Sequence, residues 1–397
     1  MGVPDVIIRY LLLHAYGMGG TIRTVLNQAG AMAALGHQVE VVSVVRRRTH
    51  PHFAFDPRLT VTTLVDQRGG MEPDSVPRKV WRRMRGKLVP PGEYASEFFT
   101  ERVERAVIDY VSGLDGGILV TTRPALNLIA ARRGSDKVVR LAQEHMNLGA
   151  YREPVRRQIL RHYGKLDAVT VLTRESQAEY RALLPGTPIV RIPNAVHTVD
   201  PQPSAQEHPI VVTAGRLVPQ KGFDLLVEAF GALAARHQKW QLRIFGTGPR
   251  RAELKAQIDA LGLAERVRLM GRTRDMEDEL SRASIYVLSS RFEGQPMVMI
   301  EAMTHALPVV AFDCPTGPAD VLTDGVTGVL VPPQDAAGLS AALERLIADR
   351  DLRVRMGGAA ATAARVYSAD AVMPIWEDLF AELLAGERIT DSYWSHR

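Results

Sequence analysis

The chain carries a single cysteine, Cys314, in 397 residues. That excludes a disulfide framework and a zinc site built on cysteine thiolates, and it fits a reducing compartment. Long apolar runs are missing too. The N-terminal run from Val6 to Leu13 is interrupted by Arg9 and has the length of a strand, whereas a membrane-spanning helix needs about 20 apolar residues. No small-residue cleavage site follows it, so no secretory leader is expected and a cytoplasmic protein is the reading. No D-x-D pair is plausibly placed for a divalent cation, and the acidic run DMEDE at 275–279 reads as a helix start. Fixed-period repeats and low-complexity tracts are absent, which excludes solenoid architectures.

What is present is globular. Hydrophobic residues make up 46% and charged residues 23%, as in ordinary folded chains. At 397 residues the chain exceeds one ordinary core, so two α/β domains are expected. Charge is unevenly divided. Residues 1–200 hold 28 Lys and Arg against 19 Asp and Glu, and the remainder holds 21 against 25. The first half is thus the one to meet an anionic partner.

The first apolar run leads into HAYGMGGTIRTVLNQAGAMAALG (14–36). Gly17, Gly19 and Gly20 let the backbone approach a ligand. Thr21 is placed to cap the following helix and Gly36 to end it. HQVEVVSVV (37–45) is the next strand. Strand, glycine loop, helix and strand make a Rossmann-like unit, whose ligands sit beyond the strands' C-terminal ends. A dinucleotide enzyme wants an acidic residue after that second strand. Arg46, Arg47 and Arg48 stand there instead, which argues against NAD and an oxidoreductase. Further strands are expected at 118–124, 137–145, 167–173 and 188–196. His145 ends one of them and projects at the crevice, against the commoner reading of a structural histidine.

Residues 76–89, VPRKVWRRMRGKLV, interleave Arg78, Lys79, Arg82, Arg83, Arg85 and Lys87 with Val80, Trp81, Met84 and Leu88. The stretch 78–88 reads either as an amphipathic segment on an anionic membrane or as a solvated basic helix with Trp81 turned inward. No recognition motif accompanies it, so nucleic acid is not expected. Residues 197–209, HTVDPQPSAQEHP, read as a linker. The expected organisation is a first doubly wound domain at 1–196, a second at 210–367, and a terminal helix at 368–390.

In the second domain Arg216 and Lys221 sit in a strand-to-helix loop, AGRLVPQKG, where two cations suit a diphosphate. With no metal motif competing, those cations would do the work of a metal. The stretch 289–317, SSRFEGQPMVMIEAMTHALPVVAFDCPTG, reads as strand end, loop, helix, strand and loop. Pro296 fits the first turn of its helix. Glu293 and Glu301 can both face the crevice, beside the free N–H groups of Met297 and Val298. Carboxylates for hydroxyls and a helix start for phosphate suit a nucleotide sugar. Two solvated glutamates are the plainer alternative.

Taken together, GRLVPQKG, FGTGP, VRLMGRT, SRFEGQPMVMIEAM, ALPVV and DGVTGVLVPPQD resemble the retaining glycosyltransferases of family 4. The likeness covers about 209–350, with looser matches at GGT, His145, VLT (171–173) and IPN (192–194). It implies the GT-B fold, two facing Rossmann-like domains with a C-terminal helix crossing back to the first. It implies that Arg216 and Lys221, after Gly215, hold the donor diphosphate. Glu301 would bind the ribose and Glu293 the donor sugar, with Gly294 and the amides of Gln295, Met297 and Val298 around sugar or phosphate. Arg272 and Thr273 would meet the base. Gly19, Gly20 and Asn194 would line the donor from the first domain, and His145 would touch the donor sugar near its reacting carbon. Gln295 stands where the family usually has an apolar residue, and Asp320 where it often has Glu. The CPTGP form is similar to a subgroup associated with cell-envelope polymers such as teichoic acids.

The resemblance thus implies retaining, metal-independent transfer from a nucleotide sugar, UDP by family habit, to a hydroxyl acceptor, without a cofactor. Candidate acceptors are a cell-envelope polymer, a lipid-linked glycan or a secondary metabolite. An inverting enzyme using His14 as base is one alternative. A non-catalytic nucleotide-sugar-binding protein is the other.

Overall fold

The structure is a computed structural model that describes residues 6–70, 88–196, 201–273, 275–387 and 389. The basic stretch at 78–88 lies outside the described residues but for Leu88, which is buried. The chain divides into two compact units, Met1–Ala195 with Ala369–Arg397, and Val196–Ser368.

The first unit is built on a seven-stranded sheet with the order β3-β2-β1-β4-β5-β6-β7. Its strands are β1 (Ile7–Leu12), β2 (Gln38–Arg46), β3 (Thr60–Asp66), β4 (Ile118–Thr121), β5 (Val139–Gln143), β6 (Ala168–Val171) and β7 (Ile189–Arg191). Every pairing is parallel. Parallel strands are covered on both faces and so read as unbroken apolar runs. β4, ILVT, is buried at all four positions. The edge strand β3 is only half-buried, and three of its seven residues are threonines. Thr100 and Thr173 start the helices Glu101–Ser112 and Arg174–Leu183 by accepting backbone N–H groups of Val103 and Ser176.

Thr21 does not cap its helix. The helix Gly20–Ala34 begins two residues earlier than a Thr21 cap would place it, with Gly19 at the cap and no side-chain acceptor. Gly36 does close it, at a φ of 98° that favours glycine, with His37 N–H reaching back to Met32 O.

The terminal helix Ala369–Ala385 belongs to this first unit. Trp376, Leu379 and Phe380 are buried along it. Glu377 Oε1 meets His37 Nε2 at 3.3 Å.

The second unit holds a six-stranded sheet in the order β10-β9-β8-β11-β12-β13. The strands are β8 (Ile210–Ala214), β9 (Gln241–Phe245), β10 (Val267–Gly271), β11 (Ile285–Leu288), β12 (Val309–Phe312) and β13 (Gly328–Val331), again all parallel. β11 and β12, IYVL and VVAF, are buried throughout. Residues 201–209, read as part of a linker, are held against this unit. Ser204 N–H donates to His305 O at 2.8 Å, and Gln206 Nε2 to Ala306 O at 2.7 Å.

Candidate functional site

In an open parallel sheet, ligands bind beyond the strand ends where the winding reverses. In the second unit that place lies between β8 and β11. Gly215, Arg216 and Lys221 follow β8, and Glu293, Gly294 and Gln295 follow β11. Lys221 and Glu293 are in contact: Nζ lies 2.6 Å from Oε1, with the two side chains 19% and 6% exposed. Ser290, fully buried, donates its hydroxyl to the same oxygen. Ser290 carries no sequence signal beyond its place beside the motif. Arg216 is exposed and makes no ion pair or side-chain hydrogen bond among the described residues.

Glu301 is buried on the helix Met297–Thr304, which follows the Glu293 loop. Tyr286 of β11 is fully buried. Its hydroxyl pKa is raised by burial first, then by Glu293 and Glu301. Burial, then Glu293, pushes the Cys314 thiol up to about 12. Cys314 is therefore a buried neutral thiol.

Two expectations at this helix start are corrected. Pro296 is the residue before the helix rather than in its first turn. The Met297 N–H is not free, because it donates to Gln295 O at 2.9 Å as the loop doubles back before the helix. Val298 lies in the first turn, where the helix itself supplies no acceptor.

The segments that carry these residues are locked by close backbone approach. Gly222 sits at φ 59°, and a Cβ there would lie 2.0 Å from Ser289 O. Arg291 clamps the same junction. Its guanidinium meets Asp224 at 3.0 and 2.7 Å and Pro219 O at 2.6 Å, and its N–H donates to Gln220 O at 2.7 Å. The loop after β12 closes on the Glu293 loop. Glu293 N–H donates to Pro315 O at 3.3 Å, and the Thr316 hydroxyl donates to Glu293 O. Gly317, at φ 101°, passes so near Gly294 O that a Cβ would stand 2.5 Å away.

Arg272 and Thr273 follow β10, two strands from the reversal. Arg272 Nε reaches Thr247 Oγ1 at 3.4 Å, and Gly246 N–H donates to Gly271 O at 2.6 Å. The β9 and β10 loops are thereby tied edge to edge, and the β8 loop joins them where Leu217 N–H donates to Thr247 O at 3.0 Å. The Thr273 hydroxyl bonds the Asp275 backbone, and Asp275 caps the helix Met276–Arg282, so the acidic run is a helix start.

In the first unit the order reverses between β1 and β4. His14 lies just past β1, with Nδ1 3.2 Å from Val45 O. A carbonyl only accepts, so this bond fixes the proton on Nδ1 and leaves Nε2 as the basic nitrogen. Burial lowers the His14 pKa, and Arg47 and Arg48 add to the effect. A Cβ on Gly19 would meet only one atom within 4 Å, and one on Gly20 none, so packing does not demand glycine at either position. Asn194 is buried beyond β7.

His145 lies two residues past β5, half-buried, and its Nε2 has neither solvent nor a hydrogen-bond partner among the described residues. Burial pushes its pKa down to about 4, so the ring is neutral at pH 7. The preceding Glu144 was not singled out in the sequence. Its carboxylate is fully buried and accepts from Asn127 Nδ2 at 2.8 Å, Tyr163 OH at 2.6 Å and Tyr151 OH at 2.6 Å. Burial raises its pKa against the pull of those three donors.

The His145 shift has a pH consequence. The unfolded chain protonates first, so this part of the stability is complete above about 6.5 and is lost as pH falls towards 4. Urea unfolding at pH 7.5 and pH 5 should show a smaller drop for His145→Gln than for the wild type. Equal drops would contradict a buried neutral ring.

Each unit is thus a parallel sheet of Rossmann type with one reversal of strand order. Known structures give a pair of such units its name, the GT-B fold. A mutant of S. aureus TarM in complex with fondaparinux, α-GlcNAc-glycerol and UDP superposes with a TM-score of 0.76 at 16% identity, over 94% of this chain and 99% of that one. Residues 198–363 match the family model of the glycosyl transferases group 1. The likeness to that family thus lies within the second unit. An exopolysaccharide phosphotransferase of Streptomyces coelicolor is 34% identical over 393 residues, which is 95% of this chain but 41% of that protein. An uncharacterised glycosyltransferase of Haemophilus influenzae is 24% identical over 94% of this chain and 99% of its own length.

Proposed function

We propose that the chain is a retaining glycosyltransferase that moves a sugar from a UDP-sugar to a hydroxyl acceptor of a cell-envelope polymer. The observation that carries the reading is the pairing of Lys221 with Glu293 at the reversal of the second sheet, in the same loop as Arg216, which has no ion pair among the described residues. Arg216 and Lys221 would hold the donor diphosphate and take up the charge that grows as it leaves, the work a metal ion does in other transferases. Only the part of that interaction that strengthens in the transition state speeds the reaction. Glu293 would bind the sugar, Glu301 the ribose, and Arg272 and Thr273 the base. Glycines 19 and 20, Asn194 and a neutral His145 would meet the donor from the first unit. In this reading the acceptor attacks from the face the diphosphate leaves, the leaving phosphate takes the acceptor proton, and no cofactor takes part.

The UDP and α-GlcNAc-glycerol of the TarM complex support the choice of nucleotide and of a polyol-type acceptor. The phosphotransferase name belongs to a protein more than twice as long as the matched stretch, and that activity is not carried over. A cytoplasmic location goes with nucleotide-sugar chemistry. Among the described residues, no helix is long and apolar enough to cross a membrane.

The test is a thermal-shift screen against UDP- and GDP-sugars, since a ligand at 100 times its Kd adds about 2.7 kcal/mol of stability. Turnover and the product anomer by NMR would follow. A UDP-sugar shift, transfer and a retained anomer are the expected results. Binding without turnover on any acceptor would leave a nucleotide-sugar-binding protein. An inverted anomer would favour His14 as general base, a second reading that its fixed tautomer supports.

A further inference from the structure

We propose that the first unit carries a binding site for a phosphodiester-linked acceptor chain, built on Arg47 and Arg48. The inference rests on the glycosyltransferase reading and names the class of acceptor. Both residues leave the C-terminal end of β2, the strand beside β1. His14 Nδ1, just past β1, donates to Val45 O at 3.2 Å, so the chain carries Arg47 and Arg48 out of β2 beside the strand end where the first sheet reverses.

Arg46 shapes the loop that presents them. Its Cζ sits 4.4 Å from the centre of the Tyr16 ring, and its guanidinium donates to Arg48 O at 3.2 Å and Thr49 O at 2.7 Å. Arg47 is steadied in turn by the Phe98 ring, 4.8 Å from its Cζ. A guanidinium over an aromatic face is partly ordered before any ligand arrives.

The charge of Arg47 and Arg48 is not spent inside the protein. Both are exposed, and neither has a carboxylate or side-chain hydrogen-bond partner among the described residues. The acids of the neighbouring segment are already taken. Asp56 is paired with Arg58 and Asp66 with Arg68, and both carboxyls are held down at about 2 by those arginines. Two adjacent unneutralised guanidiniums repel each other and suit oxyanions that accept paired N–H bonds, as phosphate does. The donor diphosphate has its own cations, Arg216 and Lys221, in the other unit, so the anion here belongs to the acceptor. A bilayer would call for apolar side chains beside the cations. Thr49 and His50, which follow, are exposed and polar, and this favours a soluble chain over a lipid surface.

The experiment measures fluorescence anisotropy of a labelled oligo(glycerol phosphate) with the whole chain at rising salt. A neutral dextran oligosaccharide and phosphatidylglycerol vesicles are run beside it. The wild type should bind the phosphate chain with an affinity that falls as salt rises. Arg47→Gln/Arg48→Gln should bind it at least about tenfold more weakly, while Arg105→Gln, at a paired surface arginine, should bind like the wild type. Retention of the UDP-sugar thermal shift shows that the double variant is folded. Equal binding by the double variant, no binding by the wild type, or binding to vesicles alone would each overturn the proposal. Loss of the UDP-sugar shift in the wild type would instead sink the glycosyltransferase reading and leave a chain-binding result standing.

Discussion

Replacing Lys221 by methionine is expected to reduce transfer by at least about a hundredfold and to lower the unfolding free energy by about 3 kcal/mol. The two losses have different origins. Transfer falls because a cation at the leaving diphosphate is gone. Stability falls because the Glu293 carboxylate, 6% exposed and 2.6 Å from Lys221 Nζ, loses its cation. Breaking one side of a buried pair is more damaging than replacing both. Lys221→Met/Glu293→Leu should therefore recover much of the stability and none of the activity. Urea unfolding and initial rates on the three proteins give the comparison. A double variant as unstable as the single would show that the pair does not carry the cost. Near-normal transfer by Lys221→Met would remove the lysine from the mechanism.

The second large effect is expected at Gly246. It adopts φ 133°, and a Cβ there would lie 1.8 Å from Gly215 O, inside the backbone of the β8 loop. Backbone cannot step aside as a flexible side chain can. Gly246→Ala should cost more than about 3 kcal/mol and shift the Gly215–Arg216 segment even where the unit still folds. Gly358→Ala, where a Cβ meets open space on a helix, is the control and should be neutral or slightly stabilising. The readouts are the denaturation midpoint and the UDP-sugar thermal shift. An unaltered midpoint for Gly246→Ala would mean that the two loops are less tightly joined than the geometry requires.

The fold was legible because its central strands are unbroken apolar runs separated by glycine loops and helix starts. IYVL and VVAF could hardly be anything but buried parallel strands. Two strands escaped notice for physical reasons. β3, TVTTLVD, is an edge strand, half-buried and rich in threonine, and β13 opens on a glycine. The sequence motifs name candidate site residues but not their arrangement. Lys221 and Glu293 are 72 positions apart, and no local spacing reports that they touch. The Arg291–Asp224 clamp is likewise a product of the folded chain, as is the cage of Asn127, Tyr151 and Tyr163 around Glu144.

The terminal helix Ala369–Ala385 belongs to the first unit, so the second unit is an insertion in a discontinuous one. Its entry and exit lie side by side, since Val196 N–H donates to Tyr367 O at 2.7 Å. On the ribosome this sets an order. The second unit has all its residues once Ser368 has left the exit tunnel. The first unit, begun earlier, waits for the burial of Trp376 and Phe380 to complete its core. The unit synthesised first is thus the last to be finished. Until then it exposes a seat for that helix, and the growing chain is more open to proteases and chaperones there than its final stability would suggest.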